Sequence, residues 1–299
     1  MMSPSLYSIG GFKSAFALAH LLPRSFCQWL SARIGLASYA RRPEAQAALR
    51  SNLQLVTGRR GADLDALCTA NVANFSHMLA DYFLCAGADA PAQACKLLHG
   101  RSGEEHLALA RERGKGAIIV TAHLGHWELG GLMLARRGLP LTVITLEEPS
   151  SDLSRWREAC RRQFGIKTIT VGPGHPFAFV EMIQTLRRNE FLAMLVDRPY
   201  AGTGAPVNFF GHETEFSTAP ALLAHHTGAA VLPAFVLQDG DHGYVSMAEP
   251  IIPMEEEADT QATLAGNTQR VATIFEAIIR RHPEQWFNYV PIWRDAVIR

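Results

Sequence analysis

Residues 117–131 read AIIVTAHLGHWELGG, and this stretch decides the fold. Ala117 to Val120 form a short apolar run, the pattern of a buried strand. Thr121 breaks the run, and a helix-like segment starts near His123. A strand that delivers a histidine to the mouth of a helix, with a carboxylate just inside it, is one way to position a general base.

His123 and Glu128 have four residues between them. On a regular helix, residues five apart point about 140° away from each other. The two side chains meet only if His123 lies in the turn before the helix and Glu128 lies just over one turn in. Gly125 gives that turn its freedom. The positive end of the helix dipole would favour a neutral imidazole. A hydrogen bond to Glu128 would fix the ring tautomer and stabilise the imidazolium formed during proton transfer. The rival readings are a capping or surface histidine and a metal site built from His123, His126 and Glu128. The His-x-x-Glu-His and His-Glu-x-x-His helical patterns are absent and no Cys cluster supports zinc, which weighs against the metal reading.

Outward from this stretch, strands and helices alternate. Strands are expected at 117–120, 141–145, 168–170, 191–196, 230–236 and 243–247. Helices are expected at 128–137, 151–164, 176–188, 218–227 and 260–281, and residues 41–110 read as helical. The pattern predicts an α/β fold with a mostly parallel central sheet flanked by helices. Ligands of such sheets sit at the carboxyl ends of the strands. His123 follows one strand. Asp197 and Arg198 follow another, the apolar run Phe191–Val196, where a charged pair is either a strand-end ion pair or part of a site.

The 299-residue chain has zero formal net charge, unevenly placed. Residues 1–60 hold eight of its 28 Lys and Arg but one of its 28 acids, Glu44. A basic, apolar beginning on an acidic body suits an anionic surface, and the aliphatic and aromatic content of residues 6–39 makes that surface a membrane rather than nucleic acid. Lys13, Arg24 and Arg33 interrupt the run, so no 18-residue stretch is free of strong charge. Two interfacial helices are expected within 1–40, a membrane-associating segment preceding a main domain at 41–299. The competing reading is a helical hairpin buried against that domain. The five cysteines form no C-x-x-C, which fits a reducing compartment.

The residues 201–235 include a Gly202/Gly204 loop that is neither a P-loop nor a dinucleotide fingerprint. Phe209-Phe210-Gly211 reads as an apolar patch or turn that would face a lipid chain. Ser217-Thr218 before Pro220 reads as a helix start, and His225 and His226 read as structural. Residues 146–164 supply Glu147, Glu148, Arg155, Arg157, Arg161 and Arg162, usually a solvated face but also a source of contacts to a phosphorylated acceptor.

Taken in order, these blocks resemble the bacterial lipid A biosynthesis acyltransferase family, within the wider glycerolipid and lysophospholipid acyltransferase-like group. The resemblance rests on Thr121-Ala122-His123 through Glu128-Leu129-Gly130-Gly131 (a His-x4-Asp/Glu motif), Val196-Asp197-Arg198 with Val207 to Gly211, Thr227 to Pro233, and Pro283-Glu284-Gln285-Trp286-Phe287. Arg50-Ser51-Asn52-Leu53 also resembles the family's early helix. It implies transfer of an acyl group from a thioester, carried by acyl carrier protein or coenzyme A, to a hydroxyl of a lipid A precursor or other glycolipid. The place implied is the cytoplasmic face of the inner membrane. His123 would be the base and Glu128 its orienting partner. Arg198, Asp197, Glu147 and Arg161 would hold substrate, without resident cofactor or covalent intermediate. The Asp-Arg pair is closer to the mycobacterial phosphatidylinositol mannoside branch, which leaves other polar lipid acceptors open. A thioesterase, or a silent lipid- or carrier-binding module, is the alternative outside this reading.

Overall fold

The computed structural model describes residues 8–87, 90–147, 150–198, 204–240 and 243–293. The chain begins with helices α1 (Ile9–Leu21), α2 (Arg24–Ala40), α3 (Pro43–Thr57), α4 (Gly61–Leu84) and α5 (Ala90–Leu97). Local chemistry sets their ends. Ser8 caps α1 by accepting the Gly11 N–H, Pro43 opens α3, and Gly58 closes it in the left-handed conformation.

Alternation then follows: β1 (Leu98–Ser102), α6 (Glu104–Glu112), β2 (Ala117–Thr121), α7 (Trp127–Arg136), β3 (Leu141–Leu146), α8 (Ser151–Arg162), β4 (Lys167–Val171), α9 (Ala178–Arg187) and β5 (Phe191–Leu195). A hairpin, β6 (Gly204–Phe209) and β7 (His212–Ser217), leads to α10 (Ala219–Thr227), β8 (Ala230–Asp239), β9 (Gly243–Ala248), α11 (Thr260–Arg281) and a 3-10 turn at Pro283–Gln285. The expected α/β architecture is present. Seven strands form one sheet in the order β1-β9-β8-β2-β5-β3-β4, parallel at every pairing except β8 with β9.

β2 lies at the centre, and all five of its residues are buried because both faces are covered. Ile118 and Val120 face a core shared with α9, α10 and α11. Ala117 and Ile119 face a second core under α6 and α7. The period-two alternation therefore splits one strand between two hydrophobic layers.

Sequence reading missed β1 and the β6–β7 hairpin. Phe210 and Gly211 form its two-residue turn, both with positive φ (53° and 79°), the conformation that matches strand twist. Phe210 is a non-glycine in that region, and its N–H is held by the Glu276 carboxylate. Phe209 does not face a lipid site. It is fully buried against Phe216, Trp286 and Trp293. Gly202 lies outside the described residues.

Helices α1 and α2 have two unlike sides. One side packs inward: Phe12 meets Phe83 and Trp156 edge-on, and Ser31 donates to the Ser76 carbonyl. The other side leaves Leu18, Leu21, Phe26, Trp29 and Ile34 exposed. No helix among the described residues is long and apolar enough to cross a membrane. Helix α2 is clamped by Asp81, fully buried on α4. Asp81 accepts from Arg24 Nε and Nη2 (2.8 and 2.9 Å), Gln28 (3.1 Å) and the Tyr244 hydroxyl on β9 (2.8 Å). Removing one partner of such a buried pair costs about 3 kcal/mol or more, because the remaining groups stay desolvated. Asp81→Ala is therefore expected to lower the melting temperature by several degrees in thermal denaturation, whereas the exposed Arg50–Asp65 pair removed by Asp65→Ala leaves it nearly unchanged.

Candidate functional site

The carboxyl end of β2 turns sharply at residues 122–126. Gly125 has φ +62°, and a Cβ there would lie 2.0 Å from the Val236 carbonyl oxygen. Only glycine fits so close to a neighbouring strand. The turn is clamped from two sides. His126 N–H donates to Val236 O on β8 (2.7 Å), and Gly125 N–H donates to Gln285 O (3.0 Å). Phe287 N–H donates to His123 O (2.7 Å), and Leu124 bridges to Trp286.

Asp197, one residue beyond Val196 at the end of β5, lies directly beside this turn. Its carboxylate accepts His123 Nδ1–H at 2.6 Å and the His123 backbone N–H at 3.1 Å. Trp286 Nε1–H (3.1 Å) and Asn288 Nδ2 (3.0 Å) donate to the same carboxylate. Burial alone would push this acid up. The His123 ring, the nearby Arg198 charge and the Asn288 hydrogen bond hold it well below the usual carboxylate range. An ionised Asp197 accepts only, so the ring proton sits on Nδ1 and the Nε2 lone pair is left for chemistry.

This corrects the expected His123–Glu128 hydrogen bond. Glu128 is the second residue of α7, not just over one turn in. Its carboxylate is drawn away by two arginines on α8: Arg161 through Nε (3.2 Å) and Nη2 (2.5 Å), and Arg157 through Nη2 (3.0 Å). Burial favours the neutral acid, but the charges of Arg161 and Arg157 outweigh it and hold Glu128 at about 2. Arg161 is thus an ion-pair partner, itself buried, on the wall of the site. The ring of His126 is buried, and burial lowers it to about 4. Its Nδ1 accepts the Leu129 N–H (3.3 Å) as the cap of α7, and its ring meets Tyr244 edge-on. His123, His126 and Glu128 each have separate engagements and do not converge on a common point.

His123 opens into a cavity of about 630 Å³ between α7 and the sheet. Its roof follows Trp127, Gly130, Gly131 and Leu134 on α7 and Arg137 just past the helix end, residues three or four apart that share one face. The sheet floor is Ile119, Val143, Ala193, Ala234 and Ala248. Glycines above and alanines below leave the space. The far end reaches Glu104 and Arg137, which pair with each other. Arg198 and Glu147 also line the cavity, so all the expected site residues except the deeply buried Asp197 reach its wall. Glu148 lies outside the described residues.

The block Pro283 to Phe287 carries the resemblance without an assigned role, and the chain runs on from it to Trp293. This stretch mounts the site. Gln285 exchanges two hydrogen bonds with the Gln238 backbone on β8 (2.7 and 2.9 Å). Asn71 on α4 donates to Trp286 O (2.9 Å), and Asn52 on α3 donates to Asn288 O and Val290 O (3.0 and 2.8 Å). The signal was present: Gln285 and Asn288 interleave with aromatics, and polar residues among buried aromatics need partners.

The sequence profile described as bacterial lipid A biosynthesis acyltransferase matches residues 11–295. A phosphatidylinositol mannoside acyltransferase of Mycolicibacterium smegmatis is 28% identical over 292 residues, covering 95% of this chain and 90% of that protein. A phosphatidylinositol mannoside acyltransferase of Mycobacterium tuberculosis is 29% identical over 247 residues, covering 82% and 76%. The chain belongs to the lipid A biosynthesis acyltransferase family and is an acyltransferase.

The Glu128 cluster makes a stability prediction with a definite sign. A carboxylate depressed to about 2 contributes stability above its unfolded value near 4.3, and loses it as pH falls toward 2. Glu128→Gln is expected to cost roughly 3 kcal/mol at pH 7. Urea unfolding of both proteins between pH 7 and 3 should show that difference shrinking as the medium becomes acidic.

Proposed function

We propose that this family member transfers a fatty acyl group from a thioester to a hydroxyl of a membrane glycolipid, with His123 as general base and Asp197 as its orienting partner. One observation carries the reading: a histidine with a fixed tautomer stands at the mouth of a large apolar cavity. An acyl chain is the ligand that suits a cavity walled by glycine, alanine and aliphatic side chains. A hydroxyl near it needs a base in place during attack, a contribution of typically 10²–10⁴-fold.

The steps follow from the geometry. His123 Nε2 takes the proton of the acceptor hydroxyl as its oxygen bonds to the thioester carbonyl carbon. Asp197, ionised and 2.6 Å from Nδ1, offsets the charge of the imidazolium. The tetrahedral intermediate collapses with cleavage of the carbon–sulfur bond. The proton on Nε2 passes to the leaving thiolate, giving an ester and a free thiol. The donor is acyl carrier protein or coenzyme A. No step calls for a metal or other cofactor.

The mycobacterial relatives are named for a phosphatidylinositol mannoside, which favours a sugar on a phospholipid anchor as acceptor class over a lipid A precursor. The intact His123–Asp197 pair argues against a silent binding module. On this reading the enzyme works at the cytoplasmic face of the inner membrane, and residues 8–42 support a seat on the bilayer surface. Their exposed apolar side chains sit among Lys13, Arg33, Arg41 and Arg42, the composition of an interfacial helix pair on anionic lipid.

His123→Ala is expected to abolish acyl transfer to a phosphatidylinositol mannoside acceptor and, by taking one donor from buried Asp197, to lower the melting temperature while the protein still folds; wild-type turnover by that variant would sink the assignment. Asp197→Asn keeps the shape but loses the charge, and kcat should fall by about 10³-fold or more. Ala234→Leu fills the cavity floor, so long-chain thioesters should lose turnover more than short-chain ones in a donor series. For the membrane, replacing Leu21, Phe26 and Trp29 with glutamine should release the protein from anionic vesicles in a flotation assay. Unchanged binding would remove the docking role.

A further inference from the structure

We infer that Arg198 is the electrophilic half of the site: its guanidinium stabilises the oxyanion that forms when the thioester carbonyl is attacked. The inference rests on the acyl-transfer reading above and assigns one step of it to one side chain.

An acyl transfer builds negative charge on the carbonyl oxygen, and that charge needs donors already in place. Backbone amides next to a nucleophile or base usually supply them. Here the turn has spent its amides. His123 N–H goes to Asp197, Leu124 N–H to Ala122 O (2.7 Å), Gly125 N–H to Gln285 O and His126 N–H to Val236 O. Further in, Leu129 N–H goes to the His126 ring and Gly130 N–H to His126 O. The first-turn amides of Trp127 and Glu128 remain, and they carry only the partial charge of a helix end.

The cavity wall also holds four arginines: Arg137, Arg157, Arg161 and Arg198. Arg137 is paired with Glu104, and Arg157 and Arg161 are paired with Glu128. Arg198 is held differently. Its Nε donates to Asn288 Oδ1 and its Nη2 to Phe287 O (3.1 Å), both uncharged acceptors. These two bonds fix the plane of the guanidinium and leave Nη1 without a described partner. A fixed, desolvated cation held by neutral acceptors is what a transient anion in a low-dielectric site requires.

Position supports the pairing with His123. Phe287 donates its N–H to His123 O and accepts Arg198 Nη2 at its own carbonyl. Base and cation are thus mounted on the two sides of one residue. Asn288 does the same through its side chain, donating to Asp197 and accepting from Arg198. Burial lowers the Arg198 guanidinium somewhat, with Asp197 opposing, but it remains cationic at neutral pH.

The rival role for Arg198 is a phosphate anchor, for donor or acceptor, and the test separates the two. Arg198→Gln and Arg198→Lys would be assayed with an acyl-coenzyme A, with the matching acyl-pantetheine thioester that lacks phosphate, and for thioester hydrolysis without acceptor. Oxyanion stabilisation predicts that Arg198→Gln lowers kcat by roughly 10²-fold or more in all three assays. KM should stay within a few-fold, and Arg198→Lys should recover part of the rate. Loss confined to acyl-coenzyme A, with the phosphate-free donor untouched, would overturn the inference in favour of a donor anchor. Loss of transfer with hydrolysis intact would overturn it in favour of an acceptor anchor. A melting curve for each variant identifies misfolding, and if Arg198→Gln is destabilised the Lys variant carries the same comparison. His123→Ala is the control: if it is inactive while Arg198→Gln is fully active, this inference fails and the acyl-transfer reading stands.

Discussion

The site depends on one buried carboxylate. Asp197 sits in the interior with an ionised side chain, a state that is unfavourable unless its oxygens are satisfied. Four donors satisfy it: two from His123, one from Trp286 and one from Asn288. They come from two separate parts of the chain and Asp197 from a third, so the cost of burying the charge is met only when all three parts are assembled. The same arrangement fixes the histidine ring through both its backbone and its side chain. Stability and the orientation of the His123 ring are therefore one requirement.

Around that carboxylate, each element contributes by position rather than by chemistry. β2 and β5 are central strands whose carboxyl ends are held side by side by their parallel register, Ala117 with Phe191 through Thr121 with Leu195. One end carries His123 and the other Asp197. α7 then lies over the sheet with glycines on its inner face, and the space beneath it begins where the histidine stands. The arginines on α8 hold the start of α7 through Glu128. The carboxylate of the His-x4-Glu motif thereby acts on the helix and on the cavity wall, while the ring takes its partner from the next strand.

Much of this was legible in the residues. Five of the six sheet strands expected from apolar runs were placed within a residue or two of their ends, and the long helix from Thr260 to Arg281 was read with its observed ends. β8 extends further, to Asp239. β1 was not legible, because Leu-His-Gly-Arg-Ser has no apolar alternation and becomes a strand only by pairing with β9 at the sheet edge. The hairpin was hidden for a different reason: its turn is Phe-Gly, and a phenylalanine gives no hint of positive φ. At the site, His123 was legible from the strand-to-turn pattern. Its partner was misassigned because sequence spacing counts residues along one segment. The contact that decides the tautomer lies across the sheet, 74 residues away. Glu128 was the nearer carboxylate in sequence, but Arg157 and Arg161 on α8 hold it at the start of α7.

The strap at 283–293 has a consequence for how the protein comes into being. Gln285, Trp286, Phe287 and Asn288 touch the histidine turn, Asp197 and Arg198, and they are themselves held by Asn52 and Asn71 from far earlier in the chain. Contacts of such long sequence separation form late, after the loop-closure entropy has been overcome. A nascent chain emerges from its beginning, and its sheet strands up to β9 precede this strap. The growing polypeptide thus acquires its histidine and its aspartate well before it acquires the groups that hold them in register. Acyl-transfer competence therefore waits for residues 283–293, and the ring stays unfixed until they have been made.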